Sequence, residues 1–517
     1  MMKGQATAMD LVLALTVFVL VILLFEVTWL GTVRRSDASE LDMSMRLQHI
    51  AGALFESPGQ PQDWNPSNVR VIGVADERNV AMDWKLSMFM TLVEENYSEA
   101  KALLGTGPYE LYGSLGFADG TWLCDFGRKP EGAERIAVVR KAFVLRGSPV
   151  GFCGWRMFRS DAQHTGSVRT TVNITNLACQ FNEGSEMEHS SPAVWGGLVF
   201  AGFEDKKLWA LNESSCQPVW NFTTDDKIEA PISASYGLVF VASDDDRLRA
   251  INATTGTQAW QFLAGDDIKS GVTVGGGRLF FGSDDDRVYA LNATSGALLW
   301  NYTAAGDVRG TPALWGDAVY FGDAAGFLYA LSADTGSLLW RYDAGSKIES
   351  SPSVFEGALF FGTNSGDIIS LDARTGSLLW ASSKGTKGPE KGSSPAVSQG
   401  IVVIGESGGR LYALNATNGV DVWNYTAPDG ISGSPAIGDG VVVFGAEQKL
   451  YVLDLLNGSL VGVQDIGEEM EGSSPVIADG LVFAATEDGG LFAFGSDPRQ
   501  RLAQNGGVMV MELILWK

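Results

Sequence analysis

Residues 288–300 read VYALNATSGALLW: a short alternating run, a small polar turn with Gly296, and an apolar run ending in Trp300. The same phrase ends at Trp220, Trp260, Trp340, Trp380 and Trp423, a spacing of 40 residues with one three-residue insertion before Trp423. Each copy alternates with the two-residue period of a strand, and none carries a helix period. A unit of this length cannot bury its apolar face alone. Repetition at about 40 residues therefore predicts four-stranded antiparallel sheets packed radially against one another.

Within five of the six copies a small residue is followed six positions on by Gly and, four after that, by Trp, as in Ala290, Gly296 and Trp300. The glycines are Gly256, Gly296, Gly336, Gly376 and Gly419. This pattern resembles the tryptophan-docking motif of the quinoprotein-type, PQQ-like propeller repeat, over residues 155–495. The resemblance implies that each indole lies between the small residue of its own repeat and the glycine peptide of the next. An indole is a rigid apolar slab, and Ala and Gly leave flat backbone on which it can stack.

First strands aligned on Pro192 recur at Ile232, Val272, Pro312, Pro352, Pro395, Pro435 and Pro475, which counts eight blades. The last blade ends at Gly495 without a Trp strand. Residues 177–181, LACQF, match the stretch at 258–262, with Cys179 in the Trp place. The expectation is a mainly β fold, an eight-bladed propeller over 151–496, closed by a strand within 172–182 that leaves no open sheet edge. Cys216 stands in the Gly place of blade one. On the docking motif, Cys179 and Cys216 meet where blades eight and one touch, which predicts a disulfide between them and leaves Cys124 and Cys153 to pair in or beside the preceding domain.

Residues 11–33 are apolar for long enough to cross a hydrocarbon core of roughly 30 Å, with Glu26 the only charge inside. Residues 1–35 are read as a membrane anchor. The segment resembles an archaeal class III, type IV pilin-like signal, in which a peptidase cuts between Gly4 and Gln5; Asp10 falls one place after the pilin glutamate, and an uncleaved signal anchor is the other reading. Residues 36–150 are expected to form a small α+β domain resembling a pilin head, with a long first helix, helices at 83–94 and 98–104, and strands at 109–117 and 135–145. No role is assigned to the tail at 497–517.

Ten Asn-x-Ser/Thr sequons, at Asn96, Asn173, Asn212, Asn221, Asn252, Asn292, Asn301, Asn415, Asn424 and Asn457, together with four cysteines, point to a propeller outside the cell. Net charge is −24 with no basic run, so nucleic acid is not an expected partner.

Three scattered histidines and no Cys-x-x-Cys-His give no metal or haem site, and His164, in the stretch at 154–166 that resembles the opening of PQQ-like propellers, is read as structural. The acidic turns at 244–246, 284–286 and 487–489 are read as hairpin turns, because they lack the alternating ligands of a calcium loop.

No catalytic residue and no cofactor is expected: the resemblance implies, for a quinone enzyme, an adjacent Cys-Cys disulfide and a Glu/Asn/Asp set around calcium. The favoured function is a membrane-tethered, non-catalytic binding or scaffold module meeting a protein or glycan partner at the cell envelope, with a quinoprotein dehydrogenase and a pilus-like or envelope assembly subunit as alternatives. Near one mouth of the channel His189, Glu229, Lys269, Arg309, Glu349 and Ser432 should form a ring of mixed sign.

Overall fold

The computed structural model describes nearly all of residues 157–495, the C-terminal strand Val508–Trp516, and scattered elements of the first 146 residues. Residues 159, 169–171, 188–189, 385–392, 429, 432 and 471 are among those not described, so His189, Ser432 and Cys153 lie outside it, as does the expected membrane segment. No helix among the described residues is long and apolar enough to cross a membrane.

Eight blades of four antiparallel strands follow one another, the seventh joined by a fifth, parallel strand at Ser167–Val168, and the ring they form is the expected propeller. Blade three shows why the sequence folds this way. Its second and third strands, Arg278–Ser283 and Arg287–Asn292, are rich in aromatic and branched residues and almost wholly buried. Its fourth strand, Leu298–Thr303, alternates, because only one face meets the protein. The core lies between sheets: Phe280, Ala290 and Trp300 of blade three pack with Val319, Phe321 and Tyr329 of blade four.

The docking geometry explains the repeat. Gly256, Gly296, Gly336, Gly376, Gly419 and Gly458 all adopt φ near +70°, and a Cβ added at any of them would stand 2.5–2.8 Å from the indole of the preceding blade. Only glycine satisfies both the backbone and the ring. In every docking Trp but Trp260 the indole N–H then donates onward, as from Trp220 to the Ala253 carbonyl (2.9 Å), Trp300 to Ala333 (3.0 Å) and Trp423 to Leu455 (2.7 Å).

Two seams depart from the rule. The closing strand is Leu177–Asn182, pairing with Gly490–Gly495 so that Cys179 stands opposite Ala493, and the predicted Cys179–Cys216 disulfide joins blades eight and one. Residues 172–176, expected within that strand, precede it as a turn. At the seam between blades seven and eight the Trp place is Gly462, opposite Val452 rather than the usual Ala. Ile174, 3 % exposed, lies over it at 3.8 Å from where a Cβ would stand. The larger Val452 and the borrowed Ile174 replace the missing ring.

The C-terminal strand Val508–Trp516 belongs elsewhere. It lies between Glu110–Phe117 and Ile136–Arg146, antiparallel to both, at the centre of a six-stranded sheet with Ala75–Glu77, Val80–Met82 and Trp122–Gly127. The tail, to which the sequence assigns no role, completes the sheet formed by the residues before the propeller. Strands expected at 109–117 and 135–145 are present within a residue, and a helix spans Tyr97–Leu104. Leu47, Ile50, Ala51 and Leu54 are helical and buried.

Candidate functional site at the channel mouth

The first strand of each blade runs inward from a charged link. Along blade four the order is Arg309 in the link, Thr311, then the strand Ala313–Trp315. Three levels of the channel follow from that order.

At the charged level, neighbouring blades neutralise one another. The Arg309 guanidinium grips Asp284 through two bonds of 3.0 Å, reaches Asp307 at 3.0 Å, and stands 3.9 Å from Glu349 of the next blade. Its hydrogen bonding to Asp284 raises its pKa further. Glu349 accepts from Asn364 at 2.9 Å and pairs with Lys347 at 2.5 Å; burial pushes its pKa up, but these partners outweigh it and hold the carboxyl below its ordinary value. Lys269 pairs with Asp267 at 3.6 Å, and Glu229 with Lys227. The expected mixed ring is thus a set of short ion pairs at the four positions described.

Asp244 is the exception. It occupies the place of Asp284, but Lys227 stands 3.9 Å away and no guanidinium grips it. Burial, reinforced by Glu229 and Asp267 and opposed by Lys269 and Lys227, lifts its pKa to about 7.

The next level is a belt of hydroxyls, which the sequence reading missed. Thr311 accepts from the Gly271 N–H (3.0 Å), Ser351 from Thr311 (2.8 Å), Ser394 from Ser351 (2.9 Å), Ser434 from Ser394 (2.9 Å), Ser474 from Ser434 (3.0 Å), and Ser191 from Ser474 (3.1 Å). One hydroxyl per seam links blade three round to blade one, across the closure. In blade two the same place is Pro231, which has no N–H to donate, and the next blade there has Gly271 without a hydroxyl. The signal was visible as Thr-Pro or Ser-Pro at the start of six blades.

Beyond the belt, residues 162–168 form a strap across the first strands. Backbone N–H groups donate in turn from Leu314 to Ala162 (2.6 Å), Val354 to Gln163 (2.8 Å), Val397 to Thr165 (2.7 Å) and Ile437 to Gly166 (2.8 Å), and Ser167–Val168 pairs in parallel with Ala436–Gly438. His164 is completely buried in this strap, with Nε2 2.7 Å from Thr273 Oγ1. The Thr273 hydroxyl donates to the Pro312 carbonyl at 2.6 Å, so the histidine ring supplies the donor between them. The strap lies along the first strands of blades four to seven, farther from the charged links than the hydroxyl belt.

The acidic turns are working hairpins. Asp245 accepts from the Arg247 N–H (3.0 Å), the Asp225 N–H (2.9 Å) and Arg249 (2.9 Å); Asp285 accepts from the Arg287 and Gly265 N–H groups at 3.1 Å and from Tyr289. The third residue behaves differently: carboxylate oxygens of Asp246, Asp266 and Asp267 lie within 4.8 Å of one another, the one group of cation-ligand geometry among the described residues. Burial, with Asp267 and Asp266 beside it, raises the Asp246 pKa.

A quinone finds no matching cysteine pair. No two cysteines are adjacent in the chain, and the Cys179–Cys216 bond joins an outer strand to the turn of the next blade.

Comparison with known proteins bears on the propeller alone. The family profile PQQ_2, described as outer membrane protein assembly factor BamB, matches residues 155–269, 263–388 and 313–502. No curated protein matches the chain by sequence. Among solved structures, BamB from Moraxella catarrhalis is 16 % identical with TM-score 0.54, covering 63 % of this chain and 100 % of its own. The computationally designed Ika8 protein is 17 % identical with TM-score 0.56, covering 62 % and 99 %. A europium-containing methanol dehydrogenase is 14 % identical with TM-score 0.55, covering 71 % and 98 %. At such identities these structures share the fold.

Proposed function

The chain belongs to the PQQ_2 family, whose profile it matches over more than half its length, and from that premise we propose that it is a membrane-anchored propeller outside the cell, acting as a non-catalytic binding or scaffold module. The observation that carries this reading is the channel: a strap along the first strands, and a mouth whose charged side chains are spent on one another at the positions described. Such a surface offers shape and mixed polarity to a protein or glycan partner rather than a pocket for a small anion. The Cys179–Cys216 bond fits an oxidising compartment. The family's description as an assembly factor agrees with a scaffold role at an envelope.

The test is charge reversal at Lys269 and Arg309 together in the full-length protein, with partners captured by crosslinking on intact cells. Loss of crosslinks is expected; an unchanged partner set removes the mouth as the contact face. The methanol dehydrogenase neighbour favours a second reading, a quinoprotein dehydrogenase. Purified protein given pyrroloquinoline quinone and calcium, assayed for dye-linked alcohol oxidation, decides it: turnover would replace the scaffold reading.

A further inference from the structure

Nine of the ten sequons lie in the propeller, and all nine begin at the last residue of a blade's third strand, in the stretch before its fourth, or in the fourth strand itself. Two registers dominate. The turn register holds Asn212, Asn252, Asn292 and Asn415; the strand register, directly after a docking Trp, holds Asn221, Asn301 and Asn424.

The turn alone accounts for asparagine but not for the sequon. Asn292 Oδ1 accepts from the N–H groups of Thr294 (3.1 Å) and Ser295 (2.9 Å), and Asn252 Oδ1 from those of Thr254 (3.1 Å) and Thr255 (2.9 Å). Asp372 and Asp454 do the same work in blades five and seven, so any Asx side chain suffices. The side-chain hydroxyls that the turn draws on sit three positions on, at Ser215, Thr255 and Ser295, and two positions on only in blade three, where Thr294 also donates to Asn292 Oδ1 at 2.9 Å. Yet a hydroxyl two positions on accompanies every asparagine, as Ser214, Thr254, Thr294 and Thr417, and is missing wherever asparagine is missing, at Asp334, Arg374, Leu456 and Asp497.

The strand register repeats the coincidence in every blade but the fifth, where Ser383 follows Ala381. Thr223, Thr303 and Thr426 accompany its three asparagines, while the blades with Gln261, Arg341, Ala381, Val463 or Gln180 there carry Leu263, Asp343, Ser383, Asp465 and Asn182. Strand propensity would favour threonine with or without the asparagine. All three strand asparagines are exposed, and the turn asparagines are half-buried, with Oδ1 rather than Nδ2 held in the turn.

We infer that Asn212, Asn221, Asn252, Asn292, Asn301, Asn415 and Asn424 are N-glycosylation sites that coat the propeller's outer wall and strap-side rim and leave the charged mouth bare. Third strands run from the charged loops to these turns, which puts the turn register at the far end, and the strand register lies on each blade's fourth strand, at the opposite edge of the sheet from the first strands. Blades four and five carry no sequon, and their fourth strands expose Leu338, Leu339, Leu378 and Leu379. The donor is a lipid-linked pyrophosphate glycan: Nδ2 bonds to its anomeric carbon, the bond from that carbon to the phosphate oxygen breaks, the lipid pyrophosphate departs, and the Nδ2 proton passes to a base.

This rests on the reading that the propeller lies outside the cell, and the test separates the two. The full-length chain is recovered from membranes of the cells that make it and digested without reduction, for glycopeptide and disulfide mass mapping. Glycan mass on the seven asparagines is expected. Thr303→Ala should abolish modification of Asn301 alone, and Thr303→Ser should keep it. Bare asparagines with Cys179–Cys216 oxidised overturn the glycan inference and leave the location standing; bare asparagines with both thiols free overturn both.

Discussion

Cys179 and Cys216 are bonded across the seam between blades eight and one, with their Cα atoms 5.6 Å apart, in the two places that other blades give to Trp and Gly. The ring therefore has one covalent seam, and it falls where the chain's early strand meets its last blade. Cys179→Ala with Cys216→Ala should cost about 2–4 kcal/mol. Urea titration under non-reducing conditions reads this, and adding reductant to the unsubstituted protein should reproduce most of the loss.

Two glycines of blade seven should respond oppositely. Gly458→Ala drives a Cβ to 2.6 Å from Trp423 at φ +70° and should destabilise strongly. Gly462→Ala meets only Ile174, at 3.8 Å, and should be neutral or slightly stabilising. Ile174→Ala should cost about 2–5 kcal/mol, as a fully packed aliphatic does. Thermal melts of the three variants check the set.

Asp244 gives the ring a pH dependence. Its folded pKa, about 7, lies above the unfolded value of 3.8, so the native state holds the proton more tightly. The resulting contribution is fully present below the unfolded value and is lost as pH rises through about 7, with a slope of at most about 1.4 kcal/mol per pH unit. Asp244→Asn should remove that slope and gain most relative to the unsubstituted protein above pH 7. Stability measured at pH 5, 6, 7 and 8 tests it.

Much of this was legible because repetition exposes its own exceptions. Cys179 and Cys216 stood out only against the Trp and Gly around them, and the disulfide followed. Gly462 was equally exceptional, but its partner Ile174 precedes the closing strand, and a lone isoleucine carries no register. Asp244 and Asp284 sit in identical Ser-Asp-Asp-Asp turns; what separates them is Arg309 on a neighbouring link, a long-range fact. The C-terminal strand read as an apolar stretch without a place because both its neighbours lie before the propeller. The strap, a few residues with no periodicity, gave no strand signal at all.

Removing residues 508–517 should divide the six-stranded sheet between Ile136–Arg146 and Glu110–Phe117, while every strand of the propeller stays in the chain. Limited proteolysis should then degrade the region before residue 150 and leave a resistant fragment spanning the eight blades. A ring that is lost together with that region would contradict the separation.

The strap and the closing strand also fix an order of events. Both are made before any blade, yet residues 162–168 find their long-range hydrogen bonds on blades three to seven, and Leu177–Asn182 pairs with blade eight. The earliest-made part of the propeller is the last to acquire a home. Closing contacts over such separations in sequence is slow, so each newly made molecule passes through a stage in which its blades are stacked but its circle is still open. Any helper that shields nascent chains would meet this protein by its unspent first strand.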